Sequence, residues 1–105
     1  MVRKIEWTLS SIQDRLEIYT YWKNRNKSTL FSEKLEAIFL KAANIIAENP
    51  LIGIESDYEG VRVKVMKGFK IFYSYSEDKI QILRVWDPRQ NPRKLKSEIA
   101  LKKKA

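Results

Sequence analysis

The chain has 105 residues, 44% hydrophobic and 32% charged, which suffices for one two-layer domain but leaves no room for a second domain or a large enclosed cofactor pocket. Lysine and arginine number 21 against 13 acids, giving a net charge of +8 and a pI near 9.8, so the natural partners are nucleic acids and acidic proteins. The absence of cysteine and histidine excludes disulfides, thiol nucleophiles, zinc–thiolate centres and imidazole catalysis. No apolar run reaches the length of a signal peptide or a membrane span. The sequence therefore predicts one cytoplasmic domain over residues 1–105 with no membrane partner, no cofactor and no metal.

Val2 to Trp7 alternates imperfectly between apolar and polar residues and reads as a strand. Thr8 and Ser10 follow, and Ser10 with Gln13 three residues on matches a capping box, so a helix starts here. Leu9, Ile12, Leu16, Tyr19 and Trp22 recur at steps of three and four, which predicts that this stripe is the buried face. The pairs Asp14/Glu17 and Glu33/Glu36 are expected on exposed faces. Asn24 to Ser28 is polar and reads as a short turn, with Ser28 as the cap of a second helix. Phe31, Leu35, Ile38, Phe39, Ala42, Ile45 and Ile46 trace its apolar stripe, and Asn49-Pro50 ends it, because proline disfavours helical backbone at the preceding residue. Two helices of about twenty residues joined by a short turn lie antiparallel.

Leu51 to Gly60 has no period and reads as a loop carrying Glu55, Asp57 and Glu59. The period then becomes two. Val61, Val63 and Val65 alternate with Arg62 and Lys64; Lys67-Gly68 is a turn; Phe69, Ile71, Tyr73 and Tyr75 alternate with Lys70, Phe72 and Ser74. Ile80 to Trp86, apolar on both faces, is the central strand of an antiparallel meander. Asp87 to Pro92 breaks the sheet, and a lysine-rich tail with Leu95, Ile99 and Leu101 follows. The fold class is α+β: an N-terminal strand and a long antiparallel helical hairpin packed on a curved antiparallel sheet, in the order β-α-α-β-β-β, with a short basic C-terminal tail.

If the valines face the core, Arg62, Lys64 and Lys70 stand together on the other sheet face with Phe72 beside them. Such a patch suits phosphate, with the aromatic ring available to stack on a base. Arg84 and Arg89 extend the surface, Arg84 and Phe72 as substrate-binding residues. The same charges also read as an ordinary wet sheet face. One of Glu55, Asp57 and Glu59 is a candidate general base, although a loop of acids is more often simply solvated.

The strand ending in Trp7, the helical hairpin, Asn49-Pro50-Leu51-Ile52-Gly53, Gly60-Val61-Arg62, Gly68-Phe69-Lys70-Ile71-Phe72-Tyr73 and Ile82 to Pro92 together resemble, in order and spacing, the RelE/ParE superfamily of type II toxin–antitoxin toxins. The resemblance implies growth inhibition neutralised by an acidic cognate antitoxin, which lays an amphipathic helix across the hairpin or adds a strand to a sheet edge. For the RelE-like branch it implies metal-independent cleavage of mRNA in the ribosomal A site, with Arg62, Lys64, Lys70 and Arg89 as catalytic residues. On that reading Lys64→Ala or Arg89→Ala abolishes toxicity. Asp87 and Pro88 depart from the histidine and basic residue many relatives carry there, and Leu95 or Lys96 stands where several nucleases use a tyrosine. The lysines and arginines of the sheet place the chain with the ribosome-dependent nucleases; the alternative is the ParE-like branch, whose members instead poison DNA gyrase, have a long helical hairpin like this one and lack the nuclease set. A non-catalytic nucleic-acid-binding module or a degenerate toxin is a third reading.

Overall fold

A computed structural model of the protein describes residues 2–88. The elements are β1 (Lys4–Trp7), α1 (Leu9–Asn26), α2 (Leu30–Glu48), β2 (Ile54–Glu55), β3 (Arg62–Met66), β4 (Phe69–Tyr75) and β5 (Lys79–Trp86). They form a five-stranded sheet in the order β1-β5-β4-β3-β2, antiparallel throughout except where β1 runs parallel to β5. The α+β architecture and element order agree with the sequence reading. The short β2 is an addition, lying within the segment expected to be only a loop. The basic tail lies outside the described residues, as does Arg89.

Both helices pack on one sheet face. Leu35, Phe39, Ala42, Ala43 and Ile46 of α2 bury against Phe69, Ile71, Tyr73, Ile80, Ile82 and Val85. Of the predicted α2 stripe, Leu35, Phe39, Ala42 and Ile46 are buried, Ile38 and Ile45 half-buried and Phe31 exposed; small alanines admit close approach to the sheet. On the other face a smaller cluster joins Val61, Val63, Phe72, Leu83 and Trp86, with Tyr58 laid against it. This second cluster explains why β5 is apolar on both faces.

The predicted buried face of α1 holds only in its second half, where Tyr19 and Trp22 are half-buried and Trp22 packs against the core; in the first half it fails. Leu9, Ile12 and Leu16 are 72%, 47% and 64% exposed, while Ser11, Asp14 and Ile18 are buried. The cause lies in the neighbouring strand. β1 ends at Trp7 opposite Ile82, yet β5 continues to Trp86, so backbone groups on that side of β5 lose their strand partner and need another. Thr8 donates its hydroxyl to the Leu83 carbonyl at 3.0 Å, and the Asp14 carboxylate accepts the Val85 N–H at 2.9 Å. The first turns of α1 therefore bury polar side chains and turn their leucines outward.

The N-cap of α1 is Thr8 and not Ser10 of the predicted capping box, which lies within the helix; the Thr8 side-chain oxygen accepts the Ser11 N–H at 3.1 Å. The N-cap of α2 is Thr29 rather than Ser28, although the Ser28 hydroxyl still accepts the Leu30 N–H at 3.2 Å.

Candidate functional site: the cations and the cleft on the helix-free face

The turn between β3 and β4 decides where the predicted basic residues point. Lys67 and Gly68 both have positive φ, at 53° and 84°, the signature of a two-residue type I′ turn. Such a turn pairs Met66 with Phe69, Lys64 with Ile71 and Arg62 with Tyr73. Directly paired residues share a face, so Arg62 and Lys64 lie on the helix side with Ile71 and Tyr73. Lys70 lies opposite, paired with Val65 and Trp86. The expected cluster of Arg62, Lys64 and Lys70 on one face does not form, because Val63 of β3 packs in the second apolar cluster, away from the helices, and Val65 on that same face is left exposed.

Arg62 is engaged in holding its own neighbourhood. Its guanidinium donates to the Gly53 carbonyl at 2.7 and 3.0 Å and to the Leu51 carbonyl at 3.3 Å, with Glu55 at 3.7 Å. Beside it the Tyr73 hydroxyl donates to the Pro50 carbonyl at 2.6 Å and accepts the Gly53 N–H at 3.0 Å. These bonds fix the passage from α2 into β2. Gly53 is required there because an added Cβ would lie 2.6 Å from the Tyr73 hydroxyl oxygen and 2.7 Å from the Val63 carbonyl oxygen.

Arg84 does not extend a surface. It is 5% exposed and forms two bonds to the Asp14 carboxylate, at 2.7 and 2.8 Å. The local reason is a register shift in β4–β5 between Phe72 and Tyr73, where Phe72 pairs with Arg84 but Tyr73 with Ile82. A bulge of this kind re-aims side chains; here Leu83 joins the helix-free cluster and Arg84 turns to α1. Asp14, expected on the surface, is 4% exposed for the same reason. Glu36, also expected there, is half-buried and takes a bidentate contact from Arg15, with bonds of 2.6 and 3.0 Å to one carboxylate oxygen.

Phe72 is 5% exposed, too covered to serve as a stacking platform. It forms part of the wall of a cleft of roughly 380 Å³ on the helix-free face, with Val63, Trp86 and Tyr58, where Lys70, Glu55 and Asp57 supply the charged groups. The Tyr58 and Phe72 rings meet edge to face at 6.1 Å. Trp86 and Tyr58 were not singled out from sequence; their type and position at strand and loop give no signal beyond ordinary core packing.

Among the described residues the predicted cations therefore separate: Arg62 and Lys64 toward the helix side, Lys70 on the reverse and Arg84 in the interior. Arg89 lies outside the described residues. The acids Glu55, Asp57 and Glu59 are exposed.

The sequence matches the family described as the ParE toxin of the type II toxin–antitoxin system, parDE, over residues 5–92, and the chain belongs to that family. It is a toxin of the type II toxin–antitoxin class. Its fold matches a chain from the chromosomal ParDE toxin–antitoxin system of P. aeruginosa with a TM-score of 0.70 and 20% identity, covering 80% of this chain and 94% of that one. A chain of the E. coli DinJ-YafQ toxin–antitoxin complex aligns with a TM-score of 0.46 and 14% identity, covering 82% of this chain and 92% of that one. No protein of curated function matches. Among the described residues, no helix is long and apolar enough to cross a membrane.

Proposed function

We propose that this toxin arrests growth as a DNA gyrase poison, through protein–protein contact, and not by cutting mRNA. The observation that carries the reading is the separation of the predicted basic residues among those described. Phosphoryl chemistry without metal or histidine needs several cations converging on one phosphate to stabilise its developing charge. Arg62, held by the Gly53 and Leu51 carbonyls, and Arg84, held by Asp14, are committed to the fold, while Lys64 and Lys70 occupy opposite faces. The family membership supports the same reading, because ParE-like toxins are the gyrase-directed branch of the superfamily.

The proposed antidote is an acidic antitoxin that folds on binding. The stripe of Leu9, Ile12 and Leu16 on α1 suits the apolar side of an amphipathic helix laid across the hairpin. Charge complementarity with a chain of net charge +8 favours an acidic partner.

Inducible expression in a bacterial host tests the mechanism, with gyrase–DNA breaks and primer extension on a translated message measured in the same cells. Trapped gyrase breaks with intact message are expected, and Lys64→Ala should leave them unchanged. Cuts within translated codons that vanish in Lys64→Ala would overturn the reading in favour of a ribosome-dependent nuclease.

A further inference from the structure

The helical hairpin outruns the sheet at one end. The Phe39 and Phe69 rings meet at 5.2 Å, and the Pro50 carbonyl accepts the Tyr73 hydroxyl at 2.6 Å, so α2 runs alongside β4 and its N-terminus points past the β3–β4 turn. The stretch of α2 from Leu30 to Phe39 is about 14 Å long, while Lys67 lies only two residues beyond Phe69. The α1–α2 turn and the β3–β4 turn therefore project from the same end of the molecule.

Cations gather there. Lys23, Arg25 and Lys27 at the helical turn and Lys67 at the β turn are exposed, and residues 18–32 and 61–76 contain no acid. The Arg25 guanidinium lies 5.6 Å from the centre of the Trp22 ring and donates to the Tyr21 hydroxyl at 3.5 Å, which holds it at the tip. At the other end of the β3–β4 hairpin Glu55, Asp57, Glu59, Glu77 and Asp78 are exposed, so the charge is polarised along the molecule.

The backbone adds a second observation. Lys27 and Lys67, with φ of 55° and 53°, are the non-glycine residues at positive φ among those described, where glycine sits with less strain. Neither forms an ion pair with a described residue. Lys27 gains modestly from the α1 dipole; Lys67 has no helix end to complement. Two strained turn positions thus carry charge that the fold itself does not use.

We propose that this basic pole is a contact surface for the phosphate backbone of duplex DNA. Lysines on two turns act as point charges on phosphates, and two turns at a fixed separation suit the regular phosphate spacing of a duplex better than a flexible single strand. The acidic pole is repelled by the same DNA and sets the orientation. The surface is distinct from the sheet-face cluster expected from the sequence, and the inference is independent of how the toxin arrests growth.

Anisotropy of a labelled DNA duplex titrated with the full-length toxin at several salt concentrations tests this. Lys27→Gly and Lys67→Gly each remove a charge and fit the positive φ, so urea midpoints should not fall; Lys27→Asn and Lys67→Asn repeat the measurement with a side chain that also tolerates this conformation. Each variant should weaken binding about 5–10-fold at 0.1 M salt and reduce the salt slope by about 1. Lys4→Gln removes the same charge at the opposite pole, where the Lys4 N–H meets the Asp78 carbonyl, and should change the affinity by less than about 2-fold. No binding by the parent, no loss in the turn variants, or an equal loss in Lys4→Gln would overturn the proposal. Binding of a single-stranded RNA of the same length at least ~10-fold more tightly than the duplex would overturn it as well, assigning the pole to RNA.

Discussion

Asp14 on α1 and Arg84 on β5 are 70 residues apart in sequence and joined by two hydrogen bonds of 2.7 and 2.8 Å in the interior. The same carboxylate takes the Val85 N–H, so one side chain closes both a buried charge and an open strand edge. Asp14→Ala leaves the guanidinium buried without its counter-ion, and is expected to cost about 3–5 kcal/mol. Replacing the pair together, Asp14→Leu with Arg84→Met, should be much less damaging than the single change. Urea denaturation of the three proteins checks this; a single-variant loss below about 1 kcal/mol would show that the pair contributes little.

Tyr73 is fully buried, and its hydroxyl serves Pro50 and Gly53 at once. Tyr73→Phe keeps the ring and strands a carbonyl and an N–H, at an expected cost of about 1–3 kcal/mol. Because these bonds hold the entry to β2, the variant should also show faster amide exchange at Gly53 than at Ile71 relative to the parent. Uniform exchange changes across the sheet would indicate a global loss instead.

Leu9 and Leu16 are expected to contribute little to folding, despite their helical spacing. The double substitution Leu9→Lys and Leu16→Lys should shift stability by no more than about 1 kcal/mol, since each exposed change is worth within about 0.5 kcal/mol. It should also weaken antitoxin capture, which titration of the cognate antitoxin would read directly. Unfolding of the double variant would return these leucines to the core.

Glu6 is exposed on β1, where it accepts a 2.8 Å bond from Gln81 and faces Lys79 at 3.6 Å. The Gln81 bond and then the Lys79 charge hold its carboxyl below its ordinary value of 4.5. A depressed folded value means that this contribution is present above 4.5 and is lost as pH falls through the folded value. Melting curves of the parent and Glu6→Gln should therefore differ slightly at pH 6 and converge toward pH 3. A difference that grows on acidification would contradict the assignment.

The order of elements, the α2 core stripe and the type of each main strand were legible because hydrophobic periodicity and turn residues are local signals. Gly68 and the two-residue turn even contained the register: pairing Met66 with Phe69 forces Lys64 opposite Ile71. Counting across that turn would have separated Lys64 from Lys70. The valines of β3 read as core in either case, because a second apolar cluster on the helix-free face was not visible in a single strand's alternation. The outward stripe of α1 was beyond local reading for a different reason. Its orientation is set by β5 outrunning β1, which leaves the Val85 N–H and the Arg84 guanidinium to be met by Asp14. The sequence by itself determined the helices, the four longer strands and the charge; only tertiary structure decided which side chains those charges meet, because burying an unpaired backbone group or guanidinium costs more than leaving leucines in water.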